Sequence, residues 1–119
     1  MKIHKDLNAA SASAIVLGIL KDGETYGYAL VQRVKELSNG EVQWTEGMLY
    51  PILHRLEADR LIRARWGESE SGRKRKYYEL TPAARPAMED GRKQWEAVNA
   101  ILQRLWESHS IPNPSPLSR

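Results

Sequence analysis

A chain of 119 residues, 41% hydrophobic and 28% charged, is sized for one small soluble domain with a modest core and at most one protruding element. The absence of cysteine excludes a disulfide framework and thiolate metal sites, and a net charge of only +3 leaves any argument for nucleic acid to the clustering of charge rather than its sum. The longest apolar run, Ala14 to Leu20, is broken by Gly18 and too short to span a bilayer, and Lys2, His4 and Lys5 introduce no signal-peptide stretch, so a cytoplasmic protein with no membrane partner is expected.

Residues 1–8 are polar and read as loosely held. From Ala9 a helix is predicted, because Ala9, Ala12, Ile15, Val16, Ile19 and Leu20 recur at three-and-four spacing. Leu17 lies off that stripe, which suggests cover on more than one side. Lys21-Asp22-Gly23 ends the helix, with Gly23 as a left-handed cap. Thr25 caps a second helix whose buried stripe is Tyr26, Leu30, Val34 and Leu37. Gly27 in its first turn permits close approach of another backbone. Ser38-Asn39-Gly40 stops it, and Glu41 to Trp44 reads as an extended linker that brings Trp44 to a helix junction.

Thr45 caps a third helix. Leu49, Leu53 and Leu56, flanked by Ile52, share one face at 100° per residue. The opposite face carries Gly47, Pro51, His54 and Ala58, with Tyr50 and Arg55 at its edges. Pro51 lacks the N–H that would bond the carbonyl of Gly47, which is tolerable near a helix start. Ile62 to Trp66 alternates as a strand, with Trp66 read as part of the wing's core. Gly67 to Gly72 is a polar turn, and Arg75 to Leu80 returns with Lys76, Tyr78 and Leu80 on one face. Thr81-Pro82 opens a last helix. In it Met88, Gly91, Trp95, Val98, Leu102 and Leu105 form a heptad seam that Ile101 and Trp106 widen. Residues 108–119, with their prolines and serines, read as a disordered tail. The predicted organisation is therefore 1–81 as a DNA-binding domain, 82–107 as a dimerisation helix and 108–119 as tail. The fold class is mainly α with a small β-hairpin: a winged helix-turn-helix plus a long C-terminal helix.

In such a fold the third helix enters the major groove and the hairpin reaches neighbouring phosphates. The small Gly47 and Pro51 let the helix seat deeply while Tyr50, His54 and Arg55 make polar contacts. The plainer reading is a solvated face, but such faces are usually richer in Lys and Glu. The four consecutive cations Arg73-Lys74-Arg75-Lys76 are equally open to a solvated reading, since Glu68 and Glu70 precede them; beside a reading helix they become phosphate contacts.

Several of these segments together resemble a known family. Tyr26-Gly27-Tyr28, Gly47-Met48-Leu49-Tyr50-Pro51 with Arg55-Leu56-Glu57, Leu61-Ile62, and Gly72-Arg73-Lys74-Arg75-Lys76-Tyr77-Tyr78-Glu79-Leu80-Thr81 are similar to the PadR family of bacterial transcriptional regulators. The likeness runs over about residues 12 to 107 and is closest to the branch with a single C-terminal helix. Met48 stands where threonine is common. Arg60 stands where glycine is common, which suggests a different ending of the third helix. The resemblance implies a homodimeric repressor on double-stranded DNA with a pseudo-palindromic operator, and a last helix packed on the partner's first and last helices. With the exposed face and the basic tip it gives Gly47, Met48, Tyr50, Pro51, His54, Arg55, Arg73, Lys74 and Arg75 as expected DNA contacts, and the heptad seam independently gives Met88, Trp95, Val98, Leu102 and Leu105 as expected dimerisation residues. The resemblance also implies a small aromatic effector sandwiched by Trp95, with Val98, Ala12 and Ile15 lining the space. The alternative for Trp95 is simple packing in the dimer core.

His4, His54 and His109 are too scattered for a metal site, and no phosphate loop, nucleophile elbow or carboxylate pair appears, so neither enzyme activity nor a cofactor is expected. Glu24, Glu36, Glu46 and Glu57 read as helix-surface charges. The rival reading is a winged-helix protein-interaction module without sequence-specific DNA binding.

Overall fold

The computed structural model describes residues 3–110, with side chains through 108. The elements in order are α1 (Lys5–Leu20), β1 (Thr25–Tyr26), α2 (Gly27–Leu37), α3 (Glu46–Ala58), β2 (Ile62–Glu68), β3 (Lys74–Leu80) and α4 (Ala84–Ser110). The chain divides into two compact units between Met88 and Glu89. Among the described residues no helix is long and apolar enough to cross a membrane.

The first helix starts earlier than its apolar stripe indicates. His4 is the cap, its Nδ1 accepting the Asp6 N–H at 3.1 Å, and Asp6 lies in the first turn where the helix dipole favours an anion. Asn8, expected in a loose segment, is a joint instead. Its Oδ1 accepts the Trp44 indole N–H at 2.9 Å, and its Nδ2 donates to the Met48 sulfur at 3.8 Å. These two bonds tie α1 to the buried Trp44 and to the start of α3. Leu17 is buried along with Ala12, Val16 and Leu20, so α1 is covered on more than one side.

Thr25 does not cap α2. Thr25 pairs with Tyr78 and Tyr26 with Tyr77, which makes the hairpin a three-stranded antiparallel sheet in the order β1-β3-β2. Tyr26 takes the cap position without a side-chain hydrogen bond. Its ring meets Tyr77 edge-on at 5.7 Å rather than joining a helical stripe. Leu30 and Val34 are buried, but Leu37, the last residue of the helix, is exposed. Gly27 is buried, yet a Cβ at this position would meet only α3 side chains at ordinary contact distance, the nearest being Glu46 Oε1 at 3.6 Å. Close approach of a second backbone is therefore not its role. The helix stops where Asn39 and Gly40 turn to φ 54 and 82, and the Gly40 N–H bonds the Lys35 carbonyl at 2.8 Å.

Helix α3 forms as its sequence indicates. Thr45 Oγ1 accepts the Met48 N–H at 3.1 Å, and Leu49, Leu53 and Leu56 are buried. Pro51 sits inside the helix, one turn after Gly47 on the same exposed face, where water can solvate the unpaired Gly47 carbonyl. The ending is the left-handed one that glycine serves best: Arg60 has φ 62, and the Leu61 N–H reaches back to the Leu56 carbonyl at 3.0 Å. The expectation of a different ending is thus overturned. An L-residue in this conformation costs about 1 kcal/mol. Arg60→Gly should raise stability by roughly that amount in urea unfolding, and an unchanged or lowered midpoint would show that the arginine side chain offsets the strain.

Strands β2 and β3 pair from Ile62↔Leu80 through Ala64↔Tyr78 and Trp66↔Lys76 to Glu68↔Lys74. Ile62 and Tyr78 are buried and Ala64 packs against the core, but Trp66 is 68% exposed. Its assignment to the wing's core fails because the face is right and the reach is not: two residues beyond Ala64 the strand has passed the core, and Trp66 faces an open groove. Thr81 does not cap the last helix either. Its hydroxyl donates to the Arg60 carbonyl at 2.6 Å, and α4 begins at Ala84, with Pro86 in a first turn that needs no N–H. Ala84 is fully buried and Met88 packs against the core, so the start of α4 belongs to the first unit. The core lies where α1, α2, α3 and the base of the sheet meet.

From Glu89 onward α4 is a helix with one charged and one apolar side. Arg92 bridges Glu89 and Glu96 at 2.6 Å each, and Asp90 accepts from Gln94 at 2.8 Å. Trp95, Val98, Ile101, Leu102, Leu105 and Trp106 are exposed. The helix runs to Ser110, into the stretch expected as tail; residues 111–119 lie outside the described residues.

Candidate nucleic-acid interface

The buried leucines of α3 fix which side of it faces out. Gly47, Tyr50, Pro51, His54 and Arg55 are all exposed on that side, with the Tyr50 and His54 rings 6.3 Å apart. Met48 departs from this set. It is half-buried, packs against the core and holds the Asn8 amide, so its side chain supports the helix start rather than the outer face.

The wing is stiffened at both ends. At its tip the Ser69 N–H bonds the Arg73 carbonyl at 2.9 Å, Ser69 Oγ accepts the Arg73 N–H at 3.2 Å, and Gly72 supplies φ 82. On its outer face Arg65 Nε donates to Glu24 Oε2 at 3.0 Å, and a second bond from the same guanidinium closes the fork. The hydrogen bond from Arg65 holds the Glu24 carboxyl below its ordinary range. A lowered carboxylate pKa means the pair's contribution is present at neutral pH and fades as pH falls through that depressed value. Glu24 is thus a strand-to-wing tie, not a helix-surface charge.

The four consecutive cations do not act as one cluster, because strand alternation separates them. Arg73 and Lys74 are exposed. Arg75 is half-buried, its guanidinium 3.8 Å from the centre of the Tyr26 ring. Lys76 falls on the other face, 5.8 Å from the Tyr78 ring.

Between α3 and the wing lies an open groove of about 610 Å³. Tyr50 and His54 stand on one wall and Trp66, Lys74 and Lys76 on the other, with Tyr28 and Glu46 at the α2 side. Tyr78 also lines it: the ring is buried and the hydroxyl has no partner among the described residues. Burial pushes this phenol up to about 12, with smaller contributions from Tyr50 and Glu57, so it stays a neutral donor at physiological pH. Sequence reasoning missed Tyr28, Trp66, Lys76 and Tyr78 as lining residues. The period-two pattern that put Trp66, Lys76 and Tyr78 on one face was the available signal; β1, two residues long, gives no period to read.

The residues assigned to an effector site and a dimer seam are distributed differently. Ala12 is completely buried in the core of the first unit and has no surface to offer a ligand. Ile15 is partly buried against the same core, as is Met88, which serves its own fold rather than an outer seam. Trp95, Val98, Leu102 and Leu105 remain on the exposed side of α4, Trp95 at 39%. No group of His, Asp or Glu among the described residues could hold a metal ion.

This arrangement matches known proteins closely. The chain is 36% identical over 110 residues to a transcriptional regulator of Mycobacterium tuberculosis, covering 92% of this chain and 97% of that one. It superposes with a TM-score of 0.74 on the crystal structure of a PadR-like transcriptional regulator from Bacillus cereus, at 27% identity over 86% of this chain and 97% of that one. A transcriptional regulator from Clostridium thermocellum shares the fold at TM-score 0.77 and 24% identity, over 86% of this chain and 96% of that chain. The family model described as the transcriptional regulator PadR-like family matches residues 16–90, most of the first unit, and the chain belongs to that family.

Proposed function

We propose that this DNA-binding transcriptional regulator is a cytoplasmic homodimeric repressor that reads a pseudo-palindromic operator with α3 and holds the flanking phosphates with the wing. The observation that carries the reading is a smooth, exposed α3 face (Gly47, Tyr50, Pro51, His54, Arg55), of which Tyr50 and His54 share one groove with the exposed cations Arg73 and Lys74. Pro51 and Gly47 let the helix seat, Arg55 and His54 present donors to base edges, and Arg73 and Lys74 supply charge to the backbone. Arg75, stacked on Tyr26, contributes at shorter reach. The apolar stripe of Trp95, Val98, Leu102 and Leu105 supports dimerisation, since a lone helix with this much exposed apolar surface is covered by a second copy. Footprinting of the DNA upstream of the protein's own gene tests this. Two protected half-sites about one helical turn apart are expected. A single isolated site, or no protection, contradicts the dimeric reading.

A small aromatic effector at the dimer interface is the second part of the proposal, supported by the half-exposed indole of Trp95 at the middle of that stripe. Trp95→Ala should weaken binding of a planar aromatic dye at least tenfold, read from the dye's own fluorescence. Equal affinity in the variant would make Trp95 packing alone.

A further inference from the structure

Trp66 carries the largest exposed aromatic surface of the first unit. It is 68% exposed, on the hairpin face whose inner residues, Ile62 and Ala64, go to the core. An indole held in water is unfavourable, and this one is not isolated. Its cross-strand neighbour is Lys76, and one alternation further out stands Lys74 opposite Glu68. Trp66, Lys74 and Lys76 line the groove between α3 and the wing, and Glu68 does not. The charged residues lining that groove are Arg73, Lys74, Arg75 and Lys76 against Glu46, and the exposed phenols of Tyr28 and Tyr50 offer hydrogen-bond donors there.

A flat apolar surface bordered by cations and donors fits a chain that alternates apolar and anionic groups. The strand of a DNA duplex has that pattern, with a deoxyribose between successive phosphates. We propose that Trp66 is itself a DNA-contacting residue: its indole packs on a deoxyribose of the strand that enters this groove, while Lys74 and Lys76 pair with the phosphates on either side. The inference rests on the DNA-binding reading above and adds to it a contact that does not depend on charge.

That last property makes it testable. Trp66→Ala should weaken operator binding roughly tenfold in an anisotropy titration and leave the dependence on salt concentration unchanged, because no counterion is released by an apolar contact. Lys76→Ala should instead flatten that dependence. Trp66→Phe, which keeps a flat apolar ring, should retain most of the affinity. As a second readout, acrylamide quenching is compared between the wild type and Trp66→Phe, so that their difference reports Trp66 alone. That difference should shrink when operator DNA is added. A wild type that binds no DNA would overturn the functional reading itself. A wild type that binds, beside a Trp66→Ala variant with equal affinity and an indole still open to acrylamide, would overturn this inference alone. A Trp66→Ala variant that turns monomeric would overturn it too, and would place Trp66 at a subunit contact.

Discussion

Leu53→Ala should lower the stability of the fold by about 3 kcal/mol. Leu53 is fully buried at the middle of α3, between Leu49 and Leu56, where α3 packs on α1, α2 and β2. Truncation removes buried methyl groups and leaves a cavity that a helix pinned on three sides cannot close. Against a total of about 5–15 kcal/mol for a domain, that loss is large. Urea unfolding followed by circular dichroism measures it, and a loss below about 1 kcal/mol would contradict the placement of this helix face. Arg55→Ala, two residues on and exposed, is the control. It should leave stability within about 0.5 kcal/mol while it reduces operator affinity. The two variants separate what α3 does for the fold from what it does for DNA.

The Arg73→Ala, Lys74→Ala double variant should have the largest effect on binding. Both side chains are exposed at the stiffened tip of the wing. Each phosphate contact contributes about 0.9 to the slope of log affinity against log salt, so losing two from each protomer of the dimer should flatten that slope by about 3.6. Affinity should fall on operator and non-operator DNA alike, because phosphates carry no sequence. Titrations at several salt concentrations measure the slope. An unchanged slope would remove the wing tip from the contact surface.

The parts of this molecule that could be read from its sequence are those with enough residues to show a period. Leu49, Leu53 and Leu56 define the buried face of α3, and through it the outer face, from a helix of 13 residues with Thr45 as cap. The α4 stripe was legible for the same reason. What was not legible is set by tertiary contacts. Thr25 and Thr81 are good capping residues by type, but one pairs with Tyr78 in a strand and the other donates to the Arg60 carbonyl just after α3, because tertiary neighbours lie close enough to claim them. Asn8 carries no signal until Trp44 and Met48 are beside it. Trp66 shows the limit most directly: alternation fixes which face a residue takes, and only the fold says where that face stops being covered. Met88 and Ala12 fall to the core for the converse reason, since an apolar stripe does not say which of two partners will cover it.

The most direct test of the central claim is a fluorescence-anisotropy titration of the intact protein against DNA from its own upstream region and against scrambled DNA of equal length, at two salt concentrations. The account predicts tighter binding to the upstream DNA, weakened on both sequences as salt rises. Absence of salt-dependent binding to either DNA would contradict it and would favour a winged-helix module that docks a protein partner.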